Sequence, residues 1–269
     1  MSPVTVIRGA GPIILGQPHS GKYIPDEILA DLNDLGRTLS DTDWHVPTLY
    51  SDLLEDATIV RANFSRYVID ANRDPNGKSL YPGQNTTELV PLTTFDGEPI
   101  WNRPPSANAV AQRREAYHRP YHAALAAEIA RVKAAHGVAV LYDCHSIRSK
   151  IPYLFDGDLP DFNIGDNECA TCDRSITQAV AQICAQAEGY SHVVNGRFKG
   201  GWTTRHYGRP DDGVHAIQME LAQRNYLETE NYPFRYDVGR SVRLRDVLRN
   251  VLNAIQATIQ TEILTESAQ

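Results

Sequence analysis

The stretch VAVLYDCHSIRS, residues 138–149, decides the fold. An apolar, β-branched run follows Gly137, a helix stop, and ends on Asp143-Cys144-His145-Ser146. A run bounded in this way reads as a strand. Similar short runs alternate along the chain with longer stretches of helical periodicity, which is the pattern of an α/β layered domain. Strands are expected at Val4–Ile7, Ile13–Gln17, Ala57–Ala62, Tyr67–Asp70, Val138–Asp143, His192–Asn195 and His215–Leu221. Helices are expected at Asp26–Asp34, Trp44–Glu55, Ser106–His136, Arg174–Glu188 and Arg240–Thr265, with Gly137 and Gly189 as C-terminal stops and Pro120 kinking or splitting the third. The long irregular segment from Ala71 to Pro105 is dense in Asn, Asp, Gly and Pro, and a loop of that length in a compact domain is usually functional.

The chain has 269 residues, 42% of them hydrophobic, enough for one sizeable core, so a single domain over residues 1–269 is expected, a mixed sheet flanked by helices. Its 26 basic and 33 acidic side chains give a formal charge of -7, which argues against a phosphate-tracking surface and hence against nucleic acid. No apolar run approaches the ~20 residues that cross a bilayer, and the N-terminus has neither a basic leader nor a signal-peptide core. A cytoplasmic protein is expected. Four clustered cysteines, Cys144, Cys169, Cys172 and Cys184, are too few for a disulfide framework and fit a reducing compartment.

Ligands of open α/β sheets sit outside the carboxyl ends of the strands, so the polar residues found there are the candidate site. They are His19, Asn72-Arg73, the Asp143–Ser146 cluster with His145, and Glu220. Two neutral imidazoles and a carboxylate make a hydrolytic zinc site with one open position, a further carboxylate can take the proton of a water, and an arginine can hold an anionic substrate. The third ligand is not obvious, because position 22 is Lys22 and no His-x-x-Glu pair exists. The acidic pair Asp41 and Asp43 offers the substitute; Asp43 is preferred, since Asp41 is better placed to cap the following helix. Strand alternation puts Asp143 with His145 on one face and Gln218 with Glu220 on one face, and turns Cys144 away as buried filler rather than a nucleophile. Each histidine could instead be structural, Glu220 an edge acid, and Arg73 only the partner of Asp70 or Asp74. Other patterns fail on spacing. His118 and His122 have the helical i, i+4 spacing of a metal pair but lack the accompanying glutamate and read as surface or pocket-lining; Cys169-x-x-Cys172 has no second half; Asn76-Gly77-Lys78-Ser79 lacks the first phosphate-loop glycine.

Ten segments in order carry a resemblance: PHSG (18–21), DTDWHV (41–46), SRYVIDANRDP (65–75), LYPGQ (80–84), LVPLTTFDGEPIW (89–101), YHRPYH (117–122), LYDCHSIRS (141–149), FDGDLPDFNIGD (155–166), NGRFKGGWTTRHYGRP (195–210) and HAIQMELAQ (215–223). Together they resemble the N-formylglutamate amidohydrolase family, which is similar in fold to zinc carboxypeptidases and aspartoacylase. The resemblance implies a carboxypeptidase-like sheet. It also implies one divalent metal ion, Zn2+, on His19 and His145, with Asp43, preferred above, standing in for the family's acid that is missing at position 22, and hydrolysis of N-formyl-L-glutamate to formate and L-glutamate at the end of a histidine degradation route. Glu220 would be the general base, Asn72 and Arg73 the first substrate anchor, and Arg148, Arg205 and Arg209 candidates for the oxyanion or the second carboxylate. The Gly200-Gly201 pair suggests a loop that could close over the site. The alternatives are a deacylase of another N-acyl acidic amino acid, with acetyl or succinyl in place of formyl, and a non-catalytic dicarboxylate binder. Oligomeric state is not readable from the chain.

Overall fold

A computed structural model describes residues 1–79 and 83–263. Leu80-Tyr81-Pro82 of the LYPGQ segment, and the end of the helix expected to reach Thr265, lie outside the described residues.

The strands β1 (Val4–Ile7), β2 (Ile13–Gln17), β3 (Thr58–Ala62), β4 (Ala139–Ile147), β5 (Phe162–Gly165), β6 (His192–Val194) and β7 (Val214–Ala222) form one mixed sheet in the order β1-β3-β2-β4-β7-β5-β6. β3, β2, β4 and β7 run parallel, while β1 and β5 pair antiparallel to β3 and β7. Every residue of β2, β4 and β7 is buried, as expected of parallel strands covered on both faces. One face, with Leu15, Tyr142, Cys144, Ile217 and Met219, packs on α3 (Val46–Leu49), α6 (Arg174–Gln186) and α8 (Val238–Thr258). The other, with Ile14, Leu141 and Ala216, packs on Tyr121, Leu125, Ile129 and Val132 of α5 (Arg119–His136). The first face stays apolar along β4. The second turns polar toward the carboxyl end, where Asp143 and His145 follow Leu141 in the alternation.

The helix expected over Ser106–His136 is continuous but not uniform: α4 (Ala107–Arg113), capped by Ser106, passes through a π-turn at Arg114–His118 into α5. Pro120 lacks the N–H that a regular helix would return to Ala116, and the widened turn absorbs that loss. Gly137 ends α5 at a φ of 75°, a conformation glycine adopts without steric cost.

Several expectations are corrected. Tyr67–Asp70 is a buried turn, not a strand; Val68 N–H donates to Ser65 O, and an apolar run this short looks alike whether it pairs or merely packs. β5 is a strand that Asn163 and Gly165 concealed. Asp26–Asp34 is broken into α1 (Asp26–Leu29) and α2 (Asp34–Arg37), the second capped by Asn33. Trp44–Glu55 contracts to α3, with Asp52 at a φ of 56° just beyond it. The N-cap position of α3 is His45, so Asp41 caps nothing. A short helix, α7 (Trp202–Tyr207), follows Gly201.

The turn Pro18–Gly21 carries His19 off the end of β2, and a crossing segment fixes its course: Tyr23 N–H donates to Asn63 O and Ser65 N–H to Tyr23 O. A Cβ at position 21 would sit 2.4 Å from the backbone of Asn63 and Phe64, so only glycine fits. Gly21→Ala should therefore destabilise the fold by about 1–3 kcal/mol, seen as a lower Tm in thermal unfolding. An unchanged Tm would mean that the crossing segments are not in contact.

Candidate metal centre

Sheet register builds the site. His145 on β4 lies opposite Glu220 on β7, and Asp143 opposite Gln218, so four polar side chains share one face at the carboxyl edge. His19 arrives from β2, and Asp43 is brought to it by a bond from its own N–H to His19 O at 3.2 Å. The donor atoms of His19, Asp43 and His145 all lie within 4.8 Å of one another, and all three residues are buried. His145 Nδ1 is 3.2 Å and His19 Nδ1 3.8 Å from Asp43 Oδ2; the two ring centroids are 4.9 Å apart. Ser146 N–H donates to the same Asp43 oxygen at 3.1 Å and holds it in place.

The opposite edge of each ring is also specified. His19 Nε2 lies 2.6 Å from Asp70 Oδ1, and His145 Nε2 lies 3.1 Å from Asp143 Oδ2. A carboxylate draws the ring proton to Nε2 and leaves Nδ1 as a lone pair facing Asp43, the arrangement in which histidine ligates a metal. Asp70 and Asp143 are wholly buried, Asp43 nearly so, and one buried guanidinium, Arg66, faces them; its Nη2 donates to Asp70 at 2.7 Å and its Nη1 is 3.8 Å from Asp43. The pocket therefore holds an excess of negative charge. Burial opposes protonation of His145, yet the carboxylates of Asp143 and Asp43 outweigh it and raise its pKa well above the usual imidazole value. A site that draws a proton onto a buried ring is suited to a cation, and two imidazoles with one carboxylate are the donor set of a zinc-type divalent ion.

Glu220 lies beside this cluster, 7% exposed, with Oε2 accepting from Gln218 Nε2 at 3.0 Å. Burial, aided by Asp43, pushes its pKa up to about 8. Asp41 is a different kind of acid. Its Oδ2 accepts from Tyr67 Oη and from Phe95 N–H, so it braces the loop rather than the metal cluster, and burial raises its pKa to about 6.

A cavity of about 910 Å3 opens over the cluster. His19, Asp43, Asn72, Arg73, His145 and Glu220 line it together. Asn72 is held by its Oδ1, which accepts from Thr203 N–H at 2.8 Å; its Nδ2 lies 3.1 Å from His145 Nε2, a packing contact where that nitrogen carries the proton shared with Asp143. Arg73 is braced by Thr87 through Nε and Nη2. The other arginines are placed otherwise than the sequence suggests. Arg148 turns to Asp96 at 2.7 Å; Arg205 Nε reaches back to Gly200 O; Arg209 Nη1 donates to the carbonyls of Arg205 and Gly208 at the end of α7. None of the three lines the cavity, whose guanidinium groups belong to Arg66, Arg73, Arg114 and Arg197. Arg66 escaped the sequence reading, and Asp70 entered it only as a partner of Arg73, whose Nη1 lies 3.8 Å from Asp70 Oδ2; Arg66 and Asp70 both stand in the quoted segment SRYVIDANRDP, and their i, i+4 spacing is that of an ion pair. His118 and His122 are buried and do not line the cavity.

Fold and site together define an α/β enzyme domain with a candidate single-metal centre at the carboxyl edge of its sheet. The chain belongs to the N-formylglutamate amidohydrolase family, whose sequence profile matches residues 11–227, and so to the amide hydrolases. It is similar to N-formylglutamate deformylases of Pseudomonas aeruginosa, 46% identical over 93% of this chain and 94% of that one, and of Pseudomonas putida, 45% identical over 93% and 94%. A crystal structure of N-formylglutamate amidohydrolase from Ralstonia eutropha superposes with a TM-score of 0.78 at 26% identity, over 94% of this chain and 97% of that one.

Because Asp70 fixes the His19 ring, Asp70→Asn should weaken binding of a divalent ion by about 10- to 100-fold in competition with a chromogenic chelator. An unchanged affinity would leave Asp70 with no part in orienting the ring.

Proposed function

We propose that this protein hydrolyses N-formyl-L-glutamate to formate and L-glutamate, using one divalent ion, zinc, held by His19, Asp43 and His145. The observation that carries the substrate is the likeness to two deformylases at 46% and 45% identity over 93% of the chain. The donor set and the buried acid beside it support the chemistry. When bound, the ion supplies Lewis acidity, which lowers the pKa of water from about 16 towards about 7 and polarises a carbonyl oxygen.

The chain does the rest. Glu220 takes the proton from the attacking water as its oxygen bonds to the formyl carbon, then passes that proton to the amide nitrogen as the C–N bond breaks. Burial raises the pKa of the Glu220 carboxyl to about 8, which makes it a stronger base than an exposed glutamate and lets it hold the transferred proton at neutral pH until the leaving nitrogen takes it. Arg66, beside Asp43 on the cavity wall, takes the oxyanion role for which Arg148 was a candidate. Arg73 with Asn72 binds one substrate carboxylate. A guanidinium suits that task, because it can donate two parallel hydrogen bonds to a carboxylate. Arg114 and Arg197, on the outer wall, replace Arg205 and Arg209 as the cations that meet the second carboxylate.

In this reading the reaction closes a histidine degradation route in the cytoplasm. Cysteines without disulfides agree with that compartment, and among the described residues no helix is long and apolar enough to cross a membrane.

Formate release from N-formyl-L-glutamate tests the function. Turnover should vanish on exhaustive chelation and return with zinc; a metal-replete preparation that releases no formate would overturn the assignment. Glu220→Gln should lower kcat by about 10²- to 10⁴-fold while substrate Kd stays within about threefold, and undiminished kcat would remove Glu220 from proton transfer.

A further inference from the structure

The chain carries a second histidine pair that this chemistry does not use. His118 ends the π-turn and His122 lies in the first turn of α5, with ring centroids 4.3 Å apart. Each meets one peptide carbonyl of the loop that carries the substrate anchors. His122 Nε2–H donates to Ala71 O at 2.7 Å, and His118 Nε2–H donates to Arg73 O at 3.0 Å. The two acceptors flank Asn72. Asn72 is also gripped from its other sides, since its N–H donates to Asp70 Oδ1 at 2.8 Å and its side-chain oxygen accepts from Thr203 N–H. A carbonyl only accepts, so each imidazole must carry its proton on Nε2; for His122 this leaves Nδ1 as an acceptor 3.0 Å from Tyr207 Oη, a hydroxyl that also reaches His122 O at 3.2 Å. Trp202 covers the pair, its ring centroid 4.7 Å from that of His122 and 5.7 Å from that of His118.

We propose that His118 and His122 are positioning residues for substrate binding, which hold the Asn72–Arg73 backbone against the cavity wall from behind. The proposal rests on the reading of Asn72 and Arg73 as substrate anchors. Among the described residues no strand bonds to the Ala71–Arg73 segment, and the two imidazoles supply the donors for the carbonyls of Ala71 and Arg73. Without them the segment gains freedom, and the Arg73 guanidinium loses its fixed aim at a carboxylate. The π-turn serves the same end, because it lets the helix pass Pro120 while keeping both rings on the side facing the loop.

The test is steady-state kinetics of the metal-replete full chain with N-formyl-L-glutamate. His118→Leu and His122→Leu should each raise KM about tenfold or more while kcat falls by no more than about threefold and bound metal per chain is unchanged. The corresponding Gln variants, whose amide can donate to the same carbonyl, should restore KM to within about threefold. An unchanged KM in the Leu variants, or parallel loss of kcat and metal, overturns the positioning role. Arg73→Ala separates the two layers. If it leaves KM unaltered, the anchor reading fails and this proposal with it; if it raises KM and the Leu variants do not, only the positioning role fails. Nitrogen-15 NMR of the unmutated protein gives a readout independent of folding in the variants: both rings should be neutral Nε2–H tautomers, and an Nδ1–H tautomer in either ring would overturn the proposal.

Discussion

The structure turns on one electrostatic arrangement: three buried carboxylates, Asp43, Asp70 and Asp143, surround two imidazoles, and two guanidinium groups, buried Arg66 and half-buried Arg73, oppose them. Carboxylates without counter-charge are costly in a buried setting. The fold tolerates them because each has a geometric task. Asp70 and Asp143 fix the outer nitrogens of the rings, while Asp43 faces their inner nitrogens, where the proposed cation completes the charge balance. The parallel pairing of β4 with β7 sets His145 opposite Glu220, and the constraint at Gly21 lets the His19 turn reach the same edge.

The division of labour follows from the layers. His145 and Glu220 sit on the rigid strands β4 and β7, whereas Asn72 and Arg73, the proposed anchor of the first substrate carboxylate, come from the irregular segment after Asp70. That segment is not loose. Thr87 braces the Arg73 guanidinium, the N–H of Thr203 at the start of α7 meets the Asn72 side chain, and two imidazoles bond the carbonyls on either side of Asn72. Side-chain donors here do for a loop what a neighbouring strand does for β4.

Much of this was legible in the sequence for a simple reason. Buried parallel strands announce themselves by continuous apolar runs, and a polar cluster at the end of such a run has few roles to play. β2, β4 and β7 were found in this way, as were His19, His145 and Glu220 as candidates. The misses have equally physical causes. Tyr67–Asp70 has strand composition but closes a turn on Ser65 instead of pairing, and β5 has an Asn and a Gly where strand propensity is sought. The direction of a long side chain is a tertiary matter, so sequence spacing could not tell that Arg148, Arg205 and Arg209 turn away while Arg66 and Arg197 line the cavity. Asp41 and Asp43 were separable only through their partners, a tyrosine hydroxyl and a loop amide for one, two imidazoles for the other.

The central claim is tested most directly by anomalous diffraction at the zinc edge from crystals of the zinc-saturated protein. The account predicts one strong peak about 2.0–2.2 Å from His19 Nδ1, His145 Nδ1 and a carboxylate oxygen of Asp43. Zinc bound through either Nε2 atom, on Asp41, or at Cys169 and Cys172 with the histidine site empty would contradict it.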